Sequence, residues 1–285
     1  MISVGKWAVN TFTEWLTHEA ELAPDAPSQT NFERLCDELR PGDIILVEGR
    51  SRVSDIIKQI TQSAWSHSVL YIGNYYQLDV AGIAPAEMSH FATTPHTPLI
   101  IETLLGYGTI VTPLSKYRQE HLRICRPRNL TRADRNNVIK NTLGKLGYSY
   151  DFRQLFDLAR FLLPYNLIPG RWRSSLFEYR AGESTKTICS TMLAEAFMAV
   201  RFPVLPIVEK ADDGSLRFYK RNLKLFTPKD FDYSPYFDII KYPIIGLDEM
   251  ATYRFLPWDE GGYECNEQGD CAVPMAEPRS NSPNK

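Results

Sequence analysis

Residues 65–73 read WSHSVLYIG, and this stretch decides the fold. Its aliphatic and aromatic residues, closed by a glycine, predict a β-strand over 66–72. Side chains alternate along a strand, so His67 points to the same face as Val69. A histidine in this position is either a core residue with a satisfied hydrogen bond or a base aimed at a reaction site. The strand alone leaves both interpretations open.

The next apolar stretch, residues 99–103, reads LIIET and predicts a second strand that contains Glu102. A carboxylate among apolar residues is costly unless it is paired. An imidazole N–H is a natural partner, and such a pair would hold the histidine in one tautomer. Glu102 is therefore a candidate partner for His67; the alternative is a strand-end glutamate that faces solvent.

Residues 185–193 read TKTICSTML and predict the start of an amphipathic helix over 188–200. Cys189 lies in the first turn of that helix. A helix N-terminus carries partial positive charge and free backbone N–H groups, which lower a thiol pKa and can bind an oxyanion. Cys189 is therefore a candidate nucleophile, against the alternative of a buried and inert cysteine.

Helices and strands are mixed along the rest of the chain. The spacing of apolar residues predicts helices over 3–20, 30–39, 51–61, 131–146, 151–163 and 188–200. Short apolar runs predict strands over 44–47, 66–72, 99–103, 109–111 and 121–125, with a loop-rich stretch over 79–98 and short strands or loops over 204–257. This order favours an α+β domain with an antiparallel sheet or half-barrel packed against helices.

Taken in order, these motifs resemble the permuted papain-like cysteine hydrolases of the NlpC superfamily, specifically the YiiX/YebB-like group. The further matching pieces are LRPGDIIL at 39–46, GTIVTPL at 108–114, LGKLGYSYDF at 143–152 and TPKDFDYSPYF at 227–237. The likeness spans roughly residues 38–240. The order histidine, glutamate, cysteine reverses the usual papain-like order, as a circular permutation would, and a triad depends on geometry rather than on chain order.

The resemblance implies a circularly permuted papain-like (NlpC-type) fold and a Cys189–His67–Glu102 triad. It implies a cysteine hydrolase that cleaves an amide, peptide-like bond through a thioester intermediate, without a metal or another cofactor. Tyr150, Tyr148 and Ser190 are the candidate oxyanion or substrate-binding residues. The implied partner is a peptide-like or acyl small-molecule substrate. Two insertions, 74–98 and 151–187, are candidates to shape the substrate groove.

Two other functions stay open on the same residues. A lipid-directed acyltransferase or phospholipase would share every active residue and differ in its pocket and acceptor. A non-catalytic module would bind an amino acid, peptide or lipid, although usable residues at all three triad positions argue against it. Zinc binding by these three residues is disfavoured because metal ligands usually come in close-spaced pairs.

The composition and net charge of the chain bear on which partners it could bind. The 285-residue chain is 44% hydrophobic and 23% charged, with a formal net charge of -2, so no global field points to nucleic acid. The basic residues between 116 and 135 could form a phosphate-binding patch, and the favoured interpretation is a solvated face. Five cysteines without regular spacing predict no disulfide framework, and Cys265 and Cys271 are interpreted as free thiols.

The predicted organisation is an N-terminal helical extension over 1–37, a catalytic domain over 38–258 and a disordered polar tail over 259–285. We recognise no secretory signal and no apolar run of transmembrane length, which predicts a cytoplasmic protein. The first helix and residues 155–170 permit contact with a membrane surface, but such contact is not favoured, because an amphipathic helix more often faces a core. The oligomeric state is left open.

Overall fold

The computed structural model describes residues 11, 14–19, 30–83, 94–104, 107–148, 188–211, 213–240, 264–265 and 271–272. The chain divides into two compact units, one of residues 1–20 and 28–244 and the other of residues 21–27 and 245–285. The first unit contains the main sheet and the candidate site. The predicted boundaries after residues 37 and 258 stay predictions.

A six-stranded antiparallel sheet forms the centre of the first unit. The strands of this unit are β1 Ile44–Glu48, β2 His67–Gly73, β3 Leu99–Leu104, β4 Gly108–Pro113, β5 His121–Pro127, β6 Ile207–Lys210, β7 Leu216–Tyr219 and β8 Phe237–Ile240. The main sheet has the order β4-β3-β2-β1-β5-β8 and stays open, whereas β6 and β7 form a separate hairpin. Each of the five predicted strands is confirmed to within two residues, and so is the predicted α+β fold with an antiparallel sheet.

The main sheet is buried on both faces, because its central strands are nearly continuous apolar runs. Within β1, Ile44 and Leu46 belong to one hydrophobic cluster, which also contains Phe197. Ile45 belongs to the cluster on the opposite face, together with Leu35. The sheet is therefore the middle of three layers, and groups at its ends can reach either face.

Six helices are described in full: α1 Phe32–Glu38, α2 Arg52–Thr61, α3 Tyr75–Val80, α4 Arg132–Leu143, α5 Ile188–Ala199 and α6 Lys229–Tyr233. The helices predicted over 30–39, 51–61 and 188–200 are confirmed as α1, α2 and α5. Helix α4 begins as predicted, since Thr131 Oγ1 accepts a hydrogen bond from the Asp134 N–H at 3.1 Å. It ends at Leu143, three residues before the predicted end, with Gly144 as its C-cap.

Two other predicted helices lie partly or wholly outside the described residues. Residues 11 and 14–17 of the helix predicted over 3–20 are helical, and its remaining residues, apart from 18 and 19, lie outside the described ranges. The helix predicted over 151–163 lies outside them entirely. Among the described residues, no helix is long and apolar enough to span a lipid bilayer.

Helix α3 begins before the stretch that we predicted to be a loop and reaches Val80. A capping box starts it: the Gln77 N–H donates to Asn74 Oδ1 at 2.9 Å, and the Asn74 N–H donates to Gln77 Oε1 at 3.1 Å. The prediction missed this helix because six residues are too short to show an apolar period.

The second unit contributes one described pair of strands. Strand β9 Glu264–Cys265 pairs antiparallel with β10 Cys271–Ala272, and Cys271 lies opposite Cys265. This strand pair falls within residues 259–285, where the sequence predicted a disordered tail.

Candidate active site

Three elements supply the residues that the sequence singled out. His67 is the first residue of β2, Glu102 lies in β3, and Cys189 lies in the first turn of α5. Strands β2 and β3 are neighbours, with Tyr71 paired to Ile100. Paired residues share a face, and every second residue along a strand lies on that same face. His67 is four residues from Tyr71 and Glu102 is two residues from Ile100, so both lie on the same face of the sheet. Because His67 is at the very start of its strand, its ring lies at the end of the sheet, within reach of α5.

Glu102 is 0% exposed, and four donors surround its carboxylate. Its Oε2 lies 3.0 Å from His67 Nε2 and accepts a hydrogen bond from Tyr117 Oη at 2.5 Å. Its Oε1 accepts from Thr112 Oγ1 at 2.7 Å and from Lys116 Nζ at 3.0 Å. These donors replace the lost hydration, so a carboxylate can be buried inside an apolar strand.

The same contacts control the protonation of Glu102. Burial alone would raise its pKa, but the bond and charge of His67, the charge of Lys116 and the Tyr117 hydroxyl outweigh burial and hold the pKa at about 2. Glu102 is therefore ionised and only accepts hydrogen bonds. His67 must present an N–H at Nε2, which leaves Nδ1 as the ring nitrogen available to a thiol.

Cys189 is 2% exposed, and its thiol hydrogen-bonds with His67 and with the backbone N–H of Ser68. Burial alone would raise the pKa of the thiol, but the positive charge of His67 and these hydrogen bonds lower it. For His67, burial alone would lower the pKa, but the Cys189 thiolate and the hydrogen bonds to Cys189 and Glu102 raise it to about 10. At neutral pH, these shifts favour a thiolate–imidazolium pair.

The other described cysteines of the first unit differ from Cys189 in this respect. Burial raises the pKa of Cys36 to about 11 and that of Cys125 well above its ordinary value. Neither thiol has an imidazole among the groups that shift its pKa. Within this part of the chain, Cys189 is therefore the described cysteine whose pKa is lowered, and its position beside His67 is the reason.

Four residues of this site were missed or misassigned from the sequence. Lys116 was interpreted as part of a solvated face, yet its ammonium binds Glu102. Thr112 and Tyr117 were not predicted as site residues. A buried carboxylate needs several donors, and the pairing of β3 with β4 brings the stretch that contains these two residues to Glu102. Ser68, next to the histidine, is 0% exposed, and its side chain is among the groups that lower the pKa of the Cys189 thiol.

The three additional candidates have different outcomes. Ser190 is fully buried, and its Oγ donates to the Phe226 carbonyl at 2.9 Å, which anchors the start of α5 in the interior. Tyr148 is 67% exposed, and its backbone carbonyl accepts a hydrogen bond from the Thr109 N–H. Tyr150 lies outside the described residues. Roles for these residues in oxyanion or substrate binding stay predictions.

Comparison with known proteins matches residues 38–159 to a family described as permuted papain-like amidase enzymes, YaeF/YiiX, C92 family. That range contains His67 and Glu102 and ends before Cys189. No curated protein matches the chain. The crystal structure of the metalloprotein yiiX from Escherichia coli O157:H7 (DUF1105) is 14% identical, covering 71% of this chain and 97% of that chain with a TM-score of 0.42. At this similarity, that structure identifies neither a site nor a substrate.

The family match covers the strands that hold the histidine and the glutamate, in the order that the motifs predicted. At the level of the family, it supports an amidase-like enzyme. The resemblance to the YiiX-like permuted papain-like enzymes is thereby confirmed, with residues 38–159 as the part of the chain that matches the family.

Proposed function

We propose that this protein is a cysteine hydrolase that cleaves an amide bond of a peptide-like substrate, with Cys189 as nucleophile. His67 is the base and acid, and Glu102 orients His67 and stabilises its charged form. The observation that carries the proposal is the arrangement of the three side chains: His67 Nε2 lies 3.0 Å from Glu102 Oε2, and the same imidazole hydrogen-bonds to the buried thiol of Cys189. A cysteine that serves only packing has no use for such a partner.

In the first half-reaction, the Cys189 thiolate attacks the carbonyl carbon of the amide. A C–S bond forms, and the carbonyl electron pair moves to oxygen. The backbone N–H groups in the first turn of α5 are the expected donors to this oxyanion. The tetrahedral adduct then collapses, the C–N bond breaks, and the amine leaves with the proton from His67.

In the second half-reaction, His67 takes a proton from water, and the oxygen attacks the thioester carbonyl. The new adduct expels the Cys189 thiolate, and the product is a carboxylic acid. The net change is amide plus water to acid plus amine. Throughout, Glu102 stays ionised and stabilises the imidazolium each time it forms.

The test uses aminoacyl-coumarin amides as probe substrates and mass spectrometry of the intact protein after rapid acid quenching. We expect release of coumarin together with an acyl adduct on a peptide that contains Cys189. Cys36→Ala, which changes a thiol outside the site, should keep both signals. Turnover that continues in Cys189→Ala would refute the proposal.

A non-catalytic module with the same fold predicts a different result. It would bind probes without acylation of Cys189, and the thiol would react with iodoacetamide no faster than a free thiol of pKa about 8.5. A lipid-directed acyltransferase would transfer the acyl group from the Cys189 thioester to an added acceptor rather than to water.

A further inference from the structure

The β6–β7 hairpin exposes an unusual amount of apolar surface. All eight strand residues are exposed, and five of them are large and apolar: Ile207, Val208, Leu216, Phe218 and Tyr219, each between 43% and 60% exposed. The hairpin pairs with no other described strand. A two-stranded hairpin is only marginally stable in water, so exposed apolar residues on both of its faces indicate a surface that something covers.

The cross-strand register separates two faces. Val208 lies opposite Phe218, and Lys210 lies opposite Leu216, so this face carries three apolar side chains and one cation. The carboxylate of these strands, Glu209, lies on the opposite face. The first face is therefore apolar and positively charged, without a carboxylate of its own.

A concave surface of the same character adjoins the hairpin. A cavity of about 480 Å³ lies between β7 and the end of α5 and is lined by apolar side chains that include Met198, Phe202 and Phe218. Arg201 and Lys220 also line it, and within the described ranges neither makes an ion pair. This cavity lies about 14 Å from Cys189 along the axis of α5, at 1.5 Å per residue.

Charge favours an anionic occupant. The segment 201–221 contains five basic and three acidic residues, in a chain whose formal net charge is -2. One of the basic residues, Arg221, is committed to Asp230 at 3.2 Å. Lys210, like Arg201 and Lys220, makes no ion pair in the part of the chain that the structure describes. Apolar side chains next to unpaired cations suit a partner that offers hydrocarbon and negative charge side by side.

We propose that the β6–β7 hairpin and the adjoining cavity dock this protein onto an anionic lipid surface. An anionic lipid surface offers hydrocarbon and phosphate charge side by side, which matches the apolar, positively charged face of the hairpin and the adjoining cavity. Phe218 and Leu216 enter the boundary between head groups and acyl chains, and Lys210, Arg201 and Lys220 contact the lipid phosphates. This proposal is independent of the catalytic proposal, because no residue of the hairpin belongs to the active site.

The experiment is co-sedimentation of the full chain with vesicles of phosphatidylcholine, alone or mixed with phosphatidylglycerol. We expect binding to the anionic vesicles that weakens as salt increases. Phe218→Ser should reduce the partition coefficient roughly tenfold through lost apolar burial, and Lys220→Glu about fivefold or more through lost attraction. Val80→Ser and Arg132→Glu, which alter an exposed apolar residue and an exposed cation on other elements, are the matched controls.

Circular dichroism and alkylation of Cys189 should be unchanged in each hairpin variant, which separates lost docking from lost folding. Three results would each overturn the proposal. The first is no sedimentation with anionic vesicles, and the second is sedimentation that Phe218→Ser and Lys220→Glu leave at the wild-type level. The third is concentration-dependent self-association that Phe218→Ser abolishes, because the hairpin would then bind a second copy of the chain.

Discussion

Two histidine–glutamate pairs lie on the main sheet, and only one of them is beside a thiol. His67 Nε2 is 3.0 Å from Glu102 Oε2, and His121 Nδ1 is 2.9 Å from Glu48 Oε2. In each pair, the two residues come from neighbouring antiparallel strands. By residue type, distance and secondary structure, the two pairs are nearly equivalent.

Their surroundings differ. The side chain of Glu102 is 0% exposed, whereas those of Glu48 and His121 are each about one-third exposed. The hydrogen bond from His121 lowers the pKa of Glu48. His121 packs on the ring of Trp65, at 5.2 Å between centroids, rather than on a thiol. A histidine–glutamate pair is therefore common sheet chemistry, and burial beside Cys189 distinguishes the first pair.

The largest expected effect is the loss of the nucleophile. Cys189→Ala should lower amide turnover by roughly a thousandfold or more, because residual catalysis then depends on binding alone. The measurement is coumarin release under saturating probe. Cys36→Ala is the matched control and should retain wild-type turnover.

Replacing each histidine in turn would test whether the two pairs differ in function. His67→Ala should move the pKa of Cys189 up toward that of an ordinary thiol, because its cationic partner is gone. The rate of alkylation by iodoacetamide at neutral pH should then fall about tenfold or more. His121→Ala should leave that rate unchanged. Equal rates in the two variants would remove the basis of the comparison.

Replacing each glutamate by glutamine should change the stability of the protein at low pH by different amounts in the two pairs. The folded-state pKa of Glu102 is depressed to about 2, so its contribution to stability is present above pH 4.5 and is lost as pH falls toward 2. As pH falls from 4.5 to 2, the unfolding free energy of the wild type should decrease by roughly 3 kcal/mol through the protonation of Glu102. The Glu102→Gln variant has no carboxyl to protonate at this position and should not show that decrease. Urea denaturation at several pH values gives both curves. Glu48→Gln, at a partly exposed pair, should deviate far less from the wild type.

Removing a single donor to Glu102 should have an intermediate effect. Tyr117→Phe deletes the hydroxyl that donates to the carboxylate at 2.5 Å. A hydrogen bond to a charged group contributes about 1.5–3 kcal/mol, so unfolding free energy should fall by that amount. Tyr107→Phe removes the hydroxyl of an exposed tyrosine and should be neutral. Equal stability of the two variants would show that the Tyr117 hydroxyl contributes nothing.

The smallest effect is expected at Lys116, whose side chain is about one-third exposed. Lys116→Met removes a cation that lowers the pKa of Glu102, so that pKa should rise and acid unfolding should begin at higher pH. Lys116→Arg should restore the wild-type midpoint. Lys140→Met, at an exposed lysine on α4, is the control and should leave the midpoint in place.

The strands could be predicted because each is a short apolar run bounded by turn residues, as in 44–48 and 99–104. The start of a helix could be predicted where a capping residue marks it, as Thr131 does for α4. Helix α3 could not be predicted, because it is too short to show an apolar period. The side-chain hydrogen bonds between Asn74 and Gln77 mark its start, and these are seen only in the structure. Local signals predict an element when they are long enough to show a period.

Sequence by itself determined which residues of this protein could perform thiol chemistry: a cysteine at a helix start, a histidine at a strand start and a carboxylate in an apolar strand. The resemblance already named His67 and Glu102, but only the tertiary structure shows that Glu102 hydrogen-bonds to His67 and that the imidazole of His67, rather than that of His121, lies beside Cys189. The tertiary structure also decided that Lys116, Thr112 and Tyr117 converge on Glu102. The physical reason is that desolvation and charge proximity depend on distances between elements, and those distances are set only when the sheet and α5 pack together.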